Sequence, residues 1–239
     1  MIHTGGTMGI AELLDNCAEI GIELNQDQIA QFETYMNLLI EWNQKINLTA
    51  IDEPEEIVEK HFYDCILPLS SGLIQGRCAD VGSGAGFPGI VFKIAKPDLD
   101  LVLIEPTGKR CNFLKHVISE LGLKNITVVN ERSEDYVRKQ RESFDTVSAR
   151  AVANLSVLAE LCVPLVKKGG VFAPMKGSAG EEEAENAKHA MKVLGASLEK
   201  TQRLKLPCGD ERINLFYRKT ANTPPEYPRN YGRIKKQPL

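Results

Sequence analysis

One glycine-rich segment, residues 80–89, constrains the fold more than any other part of the chain; it reads Asp-Val-Gly-Ser-Gly-Ala-Gly-Phe-Pro-Gly. The segment follows a short apolar run at residues 78–81 and opens a helical pattern, so the chain must turn sharply from a strand into a helix. Further apolar runs then alternate with helical stretches. This alternation is typical of a parallel sheet with helices on both faces. The sequence therefore predicts an α/β domain organised around the glycine-rich turn.

The order of the predicted elements divides the chain into four parts. Apolar stripes over residues 10–20 and 27–42, and a helix near residues 55–62 behind Pro54, predict an N-terminal helical section. Strands are predicted at residues 78–81, 101–104, 126–129, 144–148 and 171–173, with two closing strands at 197–206 and 212–218. Helices are predicted between them at residues 89–95, 109–121, 155–165 and 181–194. The expected division is a leader without structure at 1–7, a helical section packed on the core at 8–72, a Rossmann-like domain at 73–220, and a basic, proline-rich, extended tail at 221–239.

Charge along the chain is uneven. The net charge of −3 argues against a uniformly basic nucleic-acid-binding protein. Counted by segment, however, residues 1–60 carry −10 and residues 218–239 carry +5. The six cysteines show no metal-ligand spacing, so free thiols in a reducing compartment, and no metal, are expected. No apolar stretch reaches the roughly 18 residues of a membrane helix, which favours a cytoplasmic protein.

The spacing within the turn indicates the class of ligand. A dinucleotide fingerprint beginning at Gly82 requires glycine at position 87, where Phe87 stands. The spacing G-x-G-x-G, with Asp80 two residues before it, suits an adenosyl sulfonium ligand better than a pyrophosphate. Asp80 is then expected to attract the ammonium group of S-adenosylmethionine, directly or through water. A nicotinamide-dependent oxidoreductase is the weaker alternative.

Polar residues at the ends of the next strands complete the predicted cofactor site, because strand ends at this edge line the ligand crevice of open α/β sheets. Glu105 is expected to accept hydrogen bonds from both ribose hydroxyls. The backbone of Ser133 or the side chain of Glu134 is expected to contact the adenine edge, although Glu134 is equally consistent with a surface acid. Arg150 needs an anionic partner, either the cofactor carboxylate or substrate, or an acid in an ion pair between sheet edge and helix.

Several motifs together resemble the bacterial RsmG family, also called the glucose-inhibited division protein B family. The resemblance covers nearly the whole chain from about Met8. It is carried by the glycine-rich segment and by residues 41–49, 61–64, 108–110, 148–151, 176–177 and 227–229. The family consists of S-adenosylmethionine-dependent methyltransferases that modify N7 of one guanine in 16S ribosomal RNA. The chain departs from the family pattern at Glu105, where aspartate is usual.

The resemblance implies cofactor contacts at Gly82, Phe87, Ser133, Glu134 and Arg150. With the positions expected from the residues themselves, the predicted cofactor site is Asp80, Gly82, Ser83, Gly84, Gly86, Phe87, Glu105, Ser133, Glu134 and Arg150. The positions expected to contact RNA are Lys109, Arg110, Lys176, Arg229, Arg233, Lys235 and Lys236.

The implied reaction needs no general base, because guanine N7 already carries a lone pair. Arg150 and Lys109 are the candidates for positioning. The absence of an Asp/Asn-Pro-Pro-aromatic motif after the fourth strand fits this chemistry, and Cys208 is expected to be a loop cysteine. The partner is 16S RNA or an assembling 30S subunit, and the protein is expected to be a monomer. A non-catalytic, cofactor-binding assembly factor is the second alternative.

Overall fold

The computed structural model describes residues 8–239, so the predicted leader lies outside the described residues. The N-terminal section begins with helix α1 (Ile10–Glu19) and helix α2 (Gln26–Asn43). Asn25 caps α2: its side chain accepts a hydrogen bond from the Gln28 amide at 2.9 Å, and the Gln28 side chain accepts one from the Asn25 amide at 2.8 Å. This reciprocal cap fixes where the longest helix of the section begins.

The predicted helix after Pro54 is present, but it changes its winding along its length. It begins as α3 (Pro54–Ile57), widens into a π-helical segment (Val58–Tyr63), and continues through α4 (Asp64–Ile66) into a 3₁₀ turn (Leu67–Ser71). Pro54 stands in the first turn, where its missing amide hydrogen costs nothing. π-helical turns often occur at functional sites, and this one carries His61 and leads into Asp64.

Seven strands form one sheet in the order β3-β2-β1-β4-β5-β7-β6. Their bounds are β1 (Arg77–Val81), β2 (Asp100–Ile104), β3 (Ile126–Val129), β4 (Phe144–Arg150), β5 (Val166–Lys176), β6 (Ala196–Lys205) and β7 (Glu211–Lys219). Strands β1 to β5 are parallel, and β7 runs antiparallel between β5 and β6. The strand order reverses between β1 and β4, which opens a crevice at the carboxyl ends of these strands.

The remaining helices cover the two faces of the sheet. They are α5 (Gly89–Ala95), α6 (Gly108–Glu120), α7 (Ser133–Gln140), α8 (Leu155–Cys162), α9 (Gly180–Asn186), α10 (Lys188–Leu194) and α11 (Tyr231–Lys236). One hydrophobic core lies between one face and the N-terminal section, where Phe32, Tyr35 and Phe62 pack together. A second core lies under α8 and α10. The N-terminal section is therefore packed on the sheet and borders the crevice.

Three expectations about elements require correction. The predicted helix at residues 181–194 is two helices, α9 and α10, with a break at Ala187. Helix α7 was not predicted, because only Tyr136 and Val137 give it an apolar face. The C-terminal tail is not extended throughout: Ile234 is fully buried and belongs to helix α11, so burial of one apolar side chain gives this proline-rich segment a fixed path.

Candidate functional site

Three adjoining cavities run along the carboxyl ends of the central strands. The turn cavity, about 240 Å³, is lined by Leu48, Thr49, His61, Gly82, Ser83, Gly84, Ala85, Phe87, Arg110, Arg150 and Ala151. The edge cavity, about 150 Å³, is lined by Val81, Gly82, Ile104, Pro106, Arg132, Ser133, Glu134, Val152, Leu161 and Tyr231. The groove, about 670 Å³, is lined by Ile51, Lys60, His61, Asp64, Arg150, Ala151, Val152, Ala153, Asn154, Met175, Lys176, Gly177, Glu183, Asp210 and Arg212. Gly82 joins the first two cavities, and Arg150 joins the turn cavity to the groove.

Glycine is required at two positions of the turn. Gly82 has a φ of 71°, and a β-carbon there would lie 2.6 Å from Cγ2 of Val152. Gly86 has a φ of 102°, and a β-carbon there would lie 2.6 Å from the hydroxyl of Tyr35. That hydroxyl donates a 2.5 Å hydrogen bond to the carbonyl of Ala85. Gly82 therefore lets Val152 pack against the turn, whereas Gly86 lets Tyr35 of α2 pack against the back of the turn.

Asp80 lies behind the turn and does not line the cavities. Its Oδ2 accepts a 3.0 Å hydrogen bond from the Gly89 amide, and its Oδ1 is buried without a hydrogen-bond partner among residues 8–239. Burial raises the pKa of this carboxyl to about 7, because the charged form loses its hydration. Asp80 thus holds the start of α5 against the turn, and one oxygen is left for a polar partner.

Glu105 is buried at the end of β2 and connects two loops. Its Oε2 accepts a 2.9 Å hydrogen bond from the Gly84 amide, and its Oε1 accepts one of 2.7 Å from the Thr107 amide. Each carboxylate oxygen keeps a second lone pair. Glu105 therefore shapes the turn and retains acceptor capacity between the turn and the edge cavity.

The edge cavity brings together Ser133 and Glu134, as the sequence predicted for residues beyond β3. The Ser133 hydroxyl donates to the carbonyl of Leu161 at 2.6 Å, so its side chain is committed to the fold while the residue still lines the cavity. Glu134 is half-buried at the first turn of α7. The cavity combines apolar walls with a carboxylate and the amino end of a helix.

Arg150 is fixed by three partners from the N-terminal section. Its Nη1 donates to Oδ2 of Asp64 and to the carbonyl of Lys60, both at 3.0 Å, and its Nη2 lies 2.9 Å from Nδ1 of His61. The guanidinium also stacks on Phe87, 4.9 Å from the ring centroid. The ion pair between sheet edge and helix is thus present. Arg150 also lines two cavities, and its contact with the cofactor carboxylate or the substrate stays a prediction.

His61 belongs to the same cluster. Burial, together with the positive charge of Arg150, lowers the pKa of its imidazole to about 3. The ring is therefore neutral near pH 7, with Nδ1 accepting from Arg150 and Nε2 lying 2.8 Å from the hydroxyl of Thr49. Its centroid lies 4.4 Å from that of Phe87. His61, Phe87 and Arg150 form a stacked, pre-organised wall of the turn cavity.

The basic residues predicted to contact RNA fall into two groups. Lys176 is paired with Glu183 at 2.7 Å, and Arg229 is paired with the fully buried Glu160 at 2.6 Å. These two cations stabilise the fold. Arg110 lines the turn cavity and Lys109 is exposed beside it. The tail cations Arg233, Lys235 and Lys236 are exposed on α11.

Sequence reasoning missed other residues of the crevice. Asp64 pairs with both Arg150 and Arg212, each at 3.0 Å, and Arg212 lines the groove from β7. The motif at residues 61–64 was a signal for Asp64, but its partners are far away in the chain. Tyr231 of α11 lines the edge cavity. The sequence did not predict this position for Tyr231, because the tail was expected to be extended.

Within residues 8–239, no group of three or more His, Cys, Asp or Glu side chains is arranged to hold a metal ion. Cys208 is exposed in the loop between β6 and β7, as predicted, and its amide donates to the Glu59 carboxylate at 2.5 Å. The other five cysteines are buried and free.

Comparison with solved structures defines the class of fold. A 16S rRNA (adenine(1408)-N(1))-methyltransferase variant from Catenulisporales acidiphilia superposes with a TM-score of 0.52 at 14% identity, covering 64% of this chain and 89% of that chain. TYW2 from M. jannaschii, solved in complex with AdoMet, gives a TM-score of 0.51 at 15% identity, covering 60% of this chain and 68% of that one. The domain therefore has the Rossmann-like fold of S-adenosylmethionine-dependent methyltransferases, preceded here by a helical section.

Sequence comparison identifies the family within this class. The family model GidB, described as rRNA small subunit methyltransferase G, matches residues 28–213. The ribosomal RNA small subunit methyltransferase G of Desulfitobacterium hafniense is 47% identical, covering 92% of this chain and 93% of the relative. The protein of the same name from Bacillus cytotoxicus is 45% identical, covering 97% of this chain and 99% of the relative. The chain belongs to the rRNA small subunit methyltransferase G family, which confirms the resemblance inferred from its motifs.

Proposed function

We propose that this protein transfers a methyl group from S-adenosylmethionine to N7 of a specific guanine in small-subunit ribosomal RNA. The observation that carries the proposal is the junction at Arg150. One side of this guanidinium faces a small cavity over the glycine-rich turn, and the other faces a wide groove. A cofactor on the turn and a base in the groove would meet at that junction.

The residues present fit the proposed cofactor. The turn cavity and edge cavity meet at Gly82, so an elongated ligand can span both. Asp80 lines none of the three cavities, but its Oδ1 is a buried acceptor without a partner in the described part of the chain, which supports a contact with the ammonium group through water. Glu105 has spare acceptor capacity for ribose hydroxyls, and Ser133 and Glu134 line the place proposed for adenine. Phe87 forms part of the wall proposed for the methionine end.

The chain would act mainly by positioning, desolvation and charge placement. The bound cofactor supplies an electrophilic methyl group on a sulfonium centre. The N7 lone pair forms the new bond as the sulfur–methyl bond breaks, and no proton is removed. Arg150, held by Asp64 and His61, keeps its orientation without reorganisation. His61 is neutral, so it adds no second positive charge beside the reacting sulfonium.

RNA contacts are proposed at the exposed cations around the crevice. Lys109 and Arg110 flank the turn cavity, and Arg233, Lys235 and Lys236 lie on α11. Such side chains bind phosphates through charge and orient the RNA without reading its sequence. Lys176 and Arg229 support these surfaces through their ion pairs. Lys109 is also proposed to help position the RNA for methyl transfer.

We further propose that the protein works as a cytoplasmic monomer on 16S RNA or an assembling 30S subunit. Leu198 is the one exposed large hydrophobic side chain among the described residues, which supports a monomer. No helix between residues 8 and 239 combines the length and apolar character that a membrane span requires.

A transfer assay tests the proposal. Purified protein is mixed with S-adenosylmethionine labelled in its methyl group and with either naked 16S RNA or 30S particles from cells lacking the corresponding gene. Label in N7-methylguanosine supports the proposal, and the better substrate distinguishes RNA from the particle. Binding of the cofactor without transfer to either substrate would favour a non-catalytic assembly factor and contradict it. Binding of a nicotinamide dinucleotide instead would favour an oxidoreductase.

A further inference from the structure

The C-terminal segment reaches back to the cofactor region of the fold. Tyr231, the first residue of α11, is half-buried and lines the edge cavity together with Gly82, Ile104 and Pro106. These partners lie at or just beyond the ends of β1 and β2. The cavity is thus closed partly by a residue that lies 70 or more positions beyond its other walls in the chain (231 − 161 = 70), and this residue presents an aromatic ring.

Several contacts fix the path of the segment up to that ring. The Arg141 guanidinium donates to the carbonyl groups of Thr223, Pro224 and Tyr227 at 2.7–2.8 Å. The amide and guanidinium of Arg229 bind the buried Glu160 carboxylate. These charge-assisted bonds hold the backbone just before α11.

The helix itself is also anchored, by a cap at its amino end and by one buried side chain. The Asn230 side chain caps it by accepting a 3.0 Å hydrogen bond from the Arg233 amide, and Ile234 is fully buried. The guanidinium of Arg132 lies 5.4 Å from the Tyr231 ring centroid and stacks on the ring. The orientation of Tyr231 is therefore set before any ligand binds.

The composition of the edge cavity suits a planar, uncharged heterocycle. Its walls are mostly apolar, with Glu134, the amino end of α7 and the Arg132 guanidinium, which lies over the Tyr231 ring, as polar groups. A cavity of about 150 Å³ is small and can hold only one such ring system. Aromatic side chains bind nucleobases by stacking, whatever the base, because every base has a π face.

We propose that Tyr231 is a cofactor-binding residue that packs its ring against the adenine of S-adenosylmethionine. This inference rests on the proposed function and assigns the C-terminal segment to cofactor binding in addition to RNA contact. The segment acts as a strap, defined as residues 223–236, that completes the adenine site on the sheet. Glu105 and the turn would hold the remainder of the cofactor.

Calorimetric titration of the full-length protein tests this role with two ligands. S-adenosylhomocysteine contains both the adenosine part and the amino-acid part of the cofactor. 5′-methylthioadenosine contains the adenosine part and lacks the amino-acid part. The variants are Tyr231→Ala, Tyr231→Phe and Tyr231→Leu, with Glu226→Ala as a control at an exposed position of the same strap. We expect Tyr231→Ala and Tyr231→Leu to raise Kd about tenfold for both ligands, because stacking is lost at the end they share. Tyr231→Phe should stay within about twofold of the wild type, since it keeps the ring.

Each other outcome has a defined meaning. Unchanged affinity of Tyr231→Leu, which keeps an apolar side chain on the helix, would overturn the inference even if Tyr231→Ala failed to fold. Equal weakening by Tyr231→Phe or by Glu226→Ala would also overturn it, because loss of the aromatic ring would not then be the cause. Weakening confined to S-adenosylhomocysteine would do the same. If the wild type bound neither ligand, the proposed function itself would fail.

Discussion

At the scale of single residues, two features favour glycine at position 82: the backbone conformation there and the packing of Val152. Its positive φ disfavours any side chain, and the methyl groups of Val152 occupy the space that a β-carbon would enter. A methyl group there would push aside Val152, which lines the edge cavity and the groove. We expect Gly82→Ala to raise the Kd for S-adenosylhomocysteine by at least about tenfold, measured by calorimetry.

Gly122 provides the matched control for this substitution. It has a φ of 62°, close to that of Gly82, but no atom lies within 4 Å of the β-carbon position. Gly122→Ala should therefore carry similar backbone strain, about 1 kcal/mol in the free energy of unfolding, and leave the Kd unchanged. Equal affinities for the two variants would show that the packing of Val152 on Gly82 does not shape the cofactor site.

Asp80 makes the free energy of unfolding depend on pH, and comparison with Asp80→Asn isolates its contribution. Burial raises the pKa of its carboxyl from 3.8 to about 7 in the folded protein. Between these values the native state holds a proton that the unfolded chain has lost, so stability falls as pH rises. The free energy of unfolding of the wild type should drop relative to Asp80→Asn by up to about 1.4 kcal/mol per pH unit from pH 4 to pH 7.

Urea unfolding at several pH values measures this difference. Asparagine keeps an oxygen that can accept from the Gly89 amide, so the turn should persist in the variant. Above about pH 7 both states of the wild type are ionised, and the difference should level off. Two parallel stability curves between pH 4 and pH 7 would contradict this account of Asp80.

The sequence located the glycine turn and the positions of Glu105 and Ser133, because the ends of neighbouring parallel strands meet at one edge. It could not assign partners to Arg150. Asp64 lies 86 residues away, and the contact exists only because the N-terminal section packs on the sheet. Nor could it show that Asp80 faces away from the cavities, since that depends on how the turn folds over α5.

At the scale of elements, the strap is held to α8 by an ion pair that should dominate its stability. Glu160 is fully buried, and Arg229 supplies its partner charge. Arg229→Leu leaves a carboxylate buried without that charge, and we expect a loss of about 3–5 kcal/mol in the free energy of unfolding. Replacing both residues by leucine removes the buried charge as well and should recover most of that loss.

Denaturant unfolding of the wild type, the single variant and the double variant measures this coupling. A single variant within about 0.5 kcal/mol of the wild type would mean that the strap is not anchored here. If the double variant were as unstable as the single variant, the buried carboxylate could not be the cause of the lost stability. Poor packing of leucine at position 229 would then explain the loss.

The elements that the sequence predicted and those that it missed differ in their apolar patterning. The strands β1, β2, β4, β5 and β7 and the helices α5, α6 and α8 have several buried apolar residues each, so their periodicity could be recognised in the sequence. Helix α11 buries a single apolar residue, Ile234. Its position depends on contacts with α8, which is distant in sequence, and therefore no local pattern predicted this helix.

At the scale of the whole molecule, acidic and basic segments have separate roles. The acidic N-terminal section packs on the sheet, while exposed cations such as Lys109 lie beside the crevice. If Lys109 contacts a phosphate, Lys109→Gln should reduce the slope of log Kd against log salt for 16S RNA by about 0.7–0.9. Filter binding at several salt concentrations measures this slope.

Lys192→Gln on α10 is the charge-matched control. Lys192 lines a separate cavity bordered by α9, α10 and the β6–β7 pair, so its loss should leave the slope unchanged. Equal reductions for the two lysines would mean that the protein attracts RNA by overall charge alone. No reduction for Lys109→Gln would remove this residue from the RNA-binding surface.

The central claim is that this chain methylates N7 of one guanine in small-subunit RNA. Its most direct test is nucleoside mapping by mass spectrometry of 16S RNA from a strain in which the gene is deleted. The account predicts that one N7-methylguanosine disappears and that plasmid-borne wild-type protein restores it, whereas Gly82→Ala restores it poorly. An unchanged set of N7-methylguanosines in the deletion strain would contradict the account.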